Sequence, residues 1–294
     1  MNERYAVDPA APADVRELKL LLDQFGFQTG RFLSRFPQDW PWQLINRLGD
    51  ASPMERQRLV DLFQRRQRCL LPAPDAPYQV KASWESNAAV AAERHYAFDD
   101  VIGQRGNGFG WPSIDQVLYE DGLGLPPGQG GHIPMQAPRY ADAVRPLLMA
   151  SAEVILVDPF FSTREKSGRQ CRNRWPVLLA LLRAAESSVT CQSFKLILVR
   201  RQVETTAGSD TSLKSDLAQA TAEVGLTRVA VGLEIRESVG HGRYLISIHG
   251  GLQFDQGFEE RKGLQNHVHW LSAPELDPLL AQFSPPTSLA YRKI

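Results

Sequence analysis

The chain has 294 residues, with 33 Lys plus Arg against 33 Asp plus Glu and a formal net charge of zero. That balance excludes a generally basic nucleic-acid coat and an acidic disordered tail, since either needs a large excess of one sign. Hydrophobic residues make up 43% of the sequence, enough for one large core or two modest ones.

Residues from about Pro12 to Leu71 read as helical. Asp14 is a cap before VRELKLLLDQF, whose Val15, Leu18, Leu21, Leu22 and Phe25 follow helical spacing, and Gly26 ends that helix. A second helix runs from Ser52 to about Leu70, with Ser52 and Glu55 in a capping-box arrangement and Pro53 in its first turn. The prolines of LLPAPDAPY stop the helical pattern, so residues 1–72 are expected to form a helical N-terminal region. Residues 73–136 are expected to be a linker, with one helix from Ser83 to Asp100 and a Gly/Pro-rich loop from Gly103 to Gly131. The GxG steps in that loop have neither a buried strand before them nor a helix after them, so they predict no phosphate loop.

From 137 to 294 the pattern changes to alternating helices and strands. Helices are predicted at Tyr140 to Ser151, Trp175 to Glu186, Ser212 to Val224 and Pro274 to Phe283. Strands are predicted at Val154 to Val157, Phe194 to Arg200, Arg228 to Ile235, Tyr244 to Ile248, Leu252 to Phe254 and Val268 to Leu271. The fold class is therefore α/β, with a mixed sheet because short turns join the last strands. No apolar run reaches the roughly 20 residues of a membrane-spanning helix, and the charged, proline-bearing start lacks the apolar stretch of an export signal. A cytoplasmic protein without membrane association is expected. Cys69, Cys171 and Cys191 are odd in number and widely spaced, which reads as buried small residues rather than disulfides or a zinc site.

The segment His241-Gly242-Arg243-Tyr244-Leu245-Ile246, followed by GGLQFDQGF from Gly250 to Phe258 and preceded by VILVDPFF, resembles the phospholipase D-like superfamily. It resembles especially the single-copy members with His-Asp-Arg-Tyr in place of the usual His-x-Lys signature, of which the MIT-associated C-terminal domain is one. The resemblance implies a phospholipase D-like mixed-sheet domain over residues 137–294, with His241 at the nucleophile position and Arg243 clamping phosphate beside Gly257. In that chemistry an imidazole attacks phosphorus while a cation stabilises the phosphoryl oxygens, and a second histidine protonates the leaving oxygen. Three departures point away from full activity: Gly242 replaces the Asp of the relatives, no carboxylate follows at the spacing of the complete signature, and Phe258 stands where Ser often helps hold phosphate. With one motif per chain, catalysis needs a homodimer that brings two His241 side chains together.

Other residues offer weaker sites. Asp158 ends a strand and could act as an acid, but Asp-Pro is also an ordinary turn starter. Arg243 could equally pair with Glu234 or Glu237. His267 and His269 alternate on a strand and could join His249 around a metal, but the set is short of ligands, so neither metal nor cofactor is expected. Arg56, Arg58, Arg65, Arg66 and Arg68 put five cations within thirteen residues, with Arg58, Arg65 and Arg66 near one helix face opposite Leu59, Leu62, Phe63 and Leu70. They are the candidate nucleic-acid contacts. The expected function is a catalytically impaired phospholipase D-like module that binds nucleic acid or a partner protein within a bacterial assembly, with antiviral defence as the setting the resemblance implies. The alternatives are an active metal-independent phosphodiesterase or nuclease working as a homodimer, and a scaffold whose aromatic segment FGFQTGRFLSRFPQDWPW docks on a partner.

Overall fold

The computed structural model describes residues 3–26, 29–49, 52–73, 76–93, 98–120, 130–199 and 210–283. The chain divides into two compact units, Met1–Gln129 and Gly130–Ile294. Both are α/β, and among the described residues no helix is long and apolar enough to cross a membrane.

The N-terminal unit is built on β1 (Glu3–Val7), α1 (Val15–Asp23), β2 (Arg31–Arg35), α2 (Trp40–Leu48), α3 (Pro53–Arg66), β3 (Leu70–Pro72), α4 (Trp84–Glu93), β4 (Asp100–Ile102) and α5 (Ile114–Tyr119). The strands form a parallel sheet in the order β3-β2-β1-β4. Both expected caps are present: Asp14 accepts the Glu17 amide at 2.8 Å and Ser52 accepts the Glu55 amide at 3.1 Å, each satisfying an otherwise orphaned donor. A helical region over 1–72 is nevertheless incorrect, because β1, β2 and β3 interrupt it. The strands hide their signal behind charge: RFLSR carries Arg31, which is buried and paired with Glu3 of β1. A linker over 73–136 is incorrect as well. Trp84, Ala88 and Ala91 of α4 pack with Val101 of β4 against Ala6 and Phe36, and α5 begins with a capping box between Ser113 and Gln116. The LPPGQ core of the Gly/Pro-rich loop lies outside the described residues.

The C-terminal unit contains β5 (Gly130–Pro134), α6 (Ala137–Ala150), β6 (Glu153–Val157), α7 (Trp175–Ser187), β7 (Ser193–Val199), α8 (Asp210–Val224), β8 (Ala230–Arg236), β9 (Tyr244–Ser247), β10 (Gly250–Phe254), β11 (Gln265–Trp270) and α9 (Ala273–Phe283). Its sheet has the order β5-β11-β10-β9-β6-β7-β8. Strands β6, β7 and β8 are parallel, whereas β9, β10, β11 and β5 pair antiparallel to their neighbours, so the sheet is mixed as its turn lengths predict. The unit begins at Gly130 rather than 137, because β5 supplies the edge strand beside β11. Ile155, Val157 and Ile246 face Leu276, Leu280 and Phe283 of α9, while the alternate residues of the same strands form the opposite face.

The loop after β6 is tied to α8 by a buried carboxylate. Asp216 accepts Thr163 Oγ1 at 2.7 Å and two bonds from Arg164, at 2.9 and 2.6 Å. Burial pushes the Asp216 carboxyl up, but these bonds and the Arg164 charge outweigh it and hold the group below its usual range. A folded-state value below the unfolded one adds stability above about pH 4, and that stability is lost as pH falls through the folded value. Asp216→Asn is therefore expected to flatten the acid limb of a plot of urea midpoint against pH. Superimposable limbs for the two proteins would show that the pair contributes nothing.

Candidate anion-binding site

The C-terminal ends of β6 and the start of β9 meet at one mouth of the sheet. Tyr244 pairs with Val157 and with Gln253, which sets Arg243 beside Asp158 and Phe254 in the next register position. The side chains of these three residues consequently share a face. Asp158 is buried, and its carboxylate shapes the turn that follows: Oδ1 accepts the Phe160 amide at 2.8 Å and Oδ2 accepts the Phe258 amide at 3.4 Å. Burial pushes the Asp158 carboxyl up, and the Phe160 amide, Arg174, Arg243 and the Phe258 amide act against that shift. Asp158 is thus the organiser of a turn, in line with the Asp-Pro reading.

That turn presents Phe160, 39% exposed, to the two residues of the resemblance. The Arg243 guanidinium lies over the Phe160 ring at 4.8 Å, and the exposed His241 ring is stacked near it at 6.1 Å with an interplanar angle of 15°. Arg243 Nη1 also donates to the Asp255 carbonyl at 2.8 Å. Glu234 is engaged by Lys195 and Arg236, so it is not the partner of Arg243. Gly257, the third predicted site residue, closes the same group. Its φ of +80° suits glycine, and a Cβ there would come 3.0 Å from Arg243 Cδ and 3.1 Å from Asp158 Oδ2. His241, Arg243 and Gly257 are therefore brought together, and Phe160, Asp158 and the Asp255 carbonyl join them.

The floor under this site is a buried hydrogen-bond network. Asn266 donates to the Tyr140 hydroxyl at 3.1 Å and to the Gly257 carbonyl at 2.9 Å, and its Oδ1 accepts the Gln256 amide at 2.9 Å. The Tyr140 hydroxyl is shared between the carbonyls of Gly257 and Glu259, at 2.9 and 3.0 Å. The structure shows what surrounds Gly242 and Phe258. A Cβ on Gly242 would fall 2.0 Å from the Tyr244 hydroxyl, so the Tyr244 ring occupies the space an Asp would need. Phe258 is buried against Phe254 at 4.4 Å, where it offers an amide to Asp158 and no hydroxyl to a phosphate.

The helix arginines divide. Arg58, Arg65 and Arg66 line a groove of about 610 Å³ with Val15, Lys19 and Leu62. Lys19 comes from α1 and is a residue the sequence did not single out, since it reaches the arginines only when α1 packs beside α3. Arg66 is paired with Asp23 and Arg65 Nε caps the Asp61 carbonyl at 3.2 Å. Arg56 points elsewhere, donating to Asn46 of α2 at 2.9 Å, and Arg68 lies in the short 3₁₀ turn Gln67–Cys69 beyond the helix. The five cations do not form one surface: an i to i+2 step on a helix turns a side chain by about 200°, to nearly the opposite face, and the helix ends before Arg68. Leu70 likewise leaves the predicted apolar stripe and sits in β3. A further carboxylate, Asp8, ends β1 where the parallel order changes direction, yet its oxygens are filled by the Ala10 amide at 2.7 Å and Gln104 Nε2 at 2.9 Å.

The histidines of β11 also group differently from expectation. His267 and His269 stand with Asp255, not His249: a carboxylate does complete the set.

No family model matches the chain, and no curated protein matches it. Among solved structures it is similar to TrmBL2, an archaeal chromatin protein whose structure shows a novel mode of DNA binding, at 11% identity and a TM-score of 0.28. The match covers 78% of this chain and 64% of that one, under two thirds of its length, and at such a score it carries no functional weight.

Proposed function

We propose that the chain is a single-copy phospholipase D-like module that binds single-stranded nucleic acid at the mouth of its C-terminal sheet and does not cleave it. The observation that carries this reading is the exposed Phe160 ring flanked by the Arg243 guanidinium and the His241 imidazole. An aromatic face takes a base by stacking, and a neighbouring guanidinium donates paired N–H bonds to the adjoining phosphate. The N-terminal unit carries its own, separate cationic groove of Arg58, Arg65, Arg66 and Lys19, a second place of the kind that attracts phosphate. Binding without cleavage follows from the site's composition. One chain contributes one His241, Tyr244 fills the space of the missing Asp, and Phe258 replaces a phosphate-holding hydroxyl.

The test is fluorescence anisotropy with labelled single- and double-stranded DNA and RNA over a range of salt, alongside cleavage assays in excess EDTA. Phe160→Ala is expected to weaken single-strand binding by about 1–3 kcal/mol, the usual worth of one stacked base. Arg243→Ala is expected to weaken it about ten-fold or more and to reduce the salt slope by about one. Turnover by the wild type that disappears in His241→Ala would replace this reading with the homodimeric phosphodiesterase. Absence of both binding and turnover would leave the protein-docking scaffold.

A further inference from the structure

The face of the C-terminal sheet opposite Arg243 carries a second cluster. His267 and His269 are two residues apart on β11 and so point to the same side. The antiparallel register sets Asp255 beside them, since Phe254 pairs with Val268 and the Asp255 amide donates to the His267 carbonyl at 3.2 Å. One carboxylate oxygen of Asp255 and one ring nitrogen from each histidine lie within 4.8 Å of one another, and His267 Nδ1 is 3.6 Å from Asp255 Oδ2. On the other side of His267, His132 of β5 brings its ring to 4.9 Å. His269 is paired with Gly130 in the same register.

We propose that Asp255, His267 and His269 form a binding site for a divalent cation of the zinc class, with a remaining coordination position open to solvent. Two imidazoles and one carboxylate are a donor set that suits zinc, and three protein ligands leave room for water or a small anion. Tetrahedral coordination at bond lengths of 2.0–2.2 Å places ligand atoms about 3.4 Å apart, so the donors must close by up to about 1.4 Å. His267 and Asp255 are 43% and 47% exposed, which leaves their side chains free to make that adjustment, while the paired strands hold their Cα positions. Magnesium and calcium fit poorly, because both prefer an all-oxygen shell and only one carboxylate is present. His132 is placed to orient His267 or to approach the open position. The same residue that would hold the cation through its carboxylate supports Arg243 through its carbonyl, but the cation site stands independently of any role for Arg243.

The experiment is calorimetric titration of the untagged full-length chain with Zn²⁺, paired with Co²⁺ absorption spectra and thermal melts with and without Zn²⁺. One equivalent of zinc is expected to bind, with visible cobalt bands of a nitrogen and oxygen site and a melting temperature that rises with zinc concentration. His267→Gln and His269→Gln are each expected to reduce affinity by at least about ten-fold and to abolish the thermal shift, with Asp255→Asn acting in the same direction. His249→Gln is expected to change neither. Melts without metal identify any variant that fails to fold, and the remaining ligand variants then decide. The proposal is overturned by the absence of stoichiometric binding, by zinc affinity that survives loss of both histidines, or by a thiolate-to-cobalt charge-transfer band that puts the metal on a cysteine.

Discussion

Trp40→Ala is expected to destabilise the N-terminal unit by about 3–5 kcal/mol, whereas Trp42→Ala, two residues along the same helix, should cost under about 1 kcal/mol. The two differ in surroundings rather than chemistry. Trp40 is fully buried, its ring meets Phe63 edge-on at 5.8 Å, and its Nε1 donates to the Val7 carbonyl of the central strand at 2.6 Å. It sits among Leu18, Leu22, Leu44 and Leu59, contributed by three helices, so alanine opens a cavity where α1, α2 and α3 converge. It also removes the side-chain donor that reaches the Val7 carbonyl. Trp42 is 36% exposed and leaves little space behind. Urea unfolding followed by far-ultraviolet circular dichroism measures both without relying on tryptophan emission. A loss below about 1.5 kcal/mol for Trp40→Ala would place that ring outside the core, given the range for large-to-small changes.

The dense aromatics around Trp40 are legible in the sequence as a core, but the sheet beneath them is not. β3 and β4 have three residues each, too few for an alternating pattern to emerge, and β2 begins and ends with arginine. The buried Arg31 pairs with Glu3 on the neighbouring strand, a pairing that no local window contains. The C-terminal unit is more readable for the converse reason. β6 and β7 are covered on both faces, so VILV and FKLILV stand out as apolar runs, and α7 carries buried leucines at helical spacing. The candidate site divides along the same line. His241 and Arg243 are two residues apart and visible as a pair. Phe160, Lys19 and Asp255 enter through the β6–β9 register, the packing of α1 on α3 and the β10–β11 register respectively, and each depends on contacts between segments distant or merely adjacent in fold rather than on spacing in one segment.

Asn266 illustrates how a residue without chemistry of its own determines whether the Arg243 site exists. It is fully buried on β11, on the face opposite His267, and uses Nδ2 on Tyr140 and Gly257 and Oδ1 on Gln256. Those bonds fix the turn from Asp255 to Phe258, whose Asp255 carbonyl accepts from Arg243 and whose Phe258 amide donates to Asp158. Asn266→Ala strips one accepted and one donated bond from this turn, together with the bond donated to the Tyr140 hydroxyl, and is expected to cost about 2–3 kcal/mol, within the range for leaving buried polar groups unsatisfied. Tyr140→Phe removes only the hydroxyl and should cost about 1 kcal/mol, the net worth of a typical hydrogen bond. Both changes act on the same carbonyl of Gly257, so their effects should not add, and a double-mutant cycle is expected to give a coupling of about 0.5–3 kcal/mol. If the turn positions Arg243, Asn266→Ala also weakens nucleic-acid binding under conditions where the variant remains folded, while Arg243→Ala weakens binding without an equal loss of stability. Additive stabilities would mean that Asn266 and Tyr140 support the turn separately, and unchanged binding by folded Asn266→Ala would detach the network from the site above it.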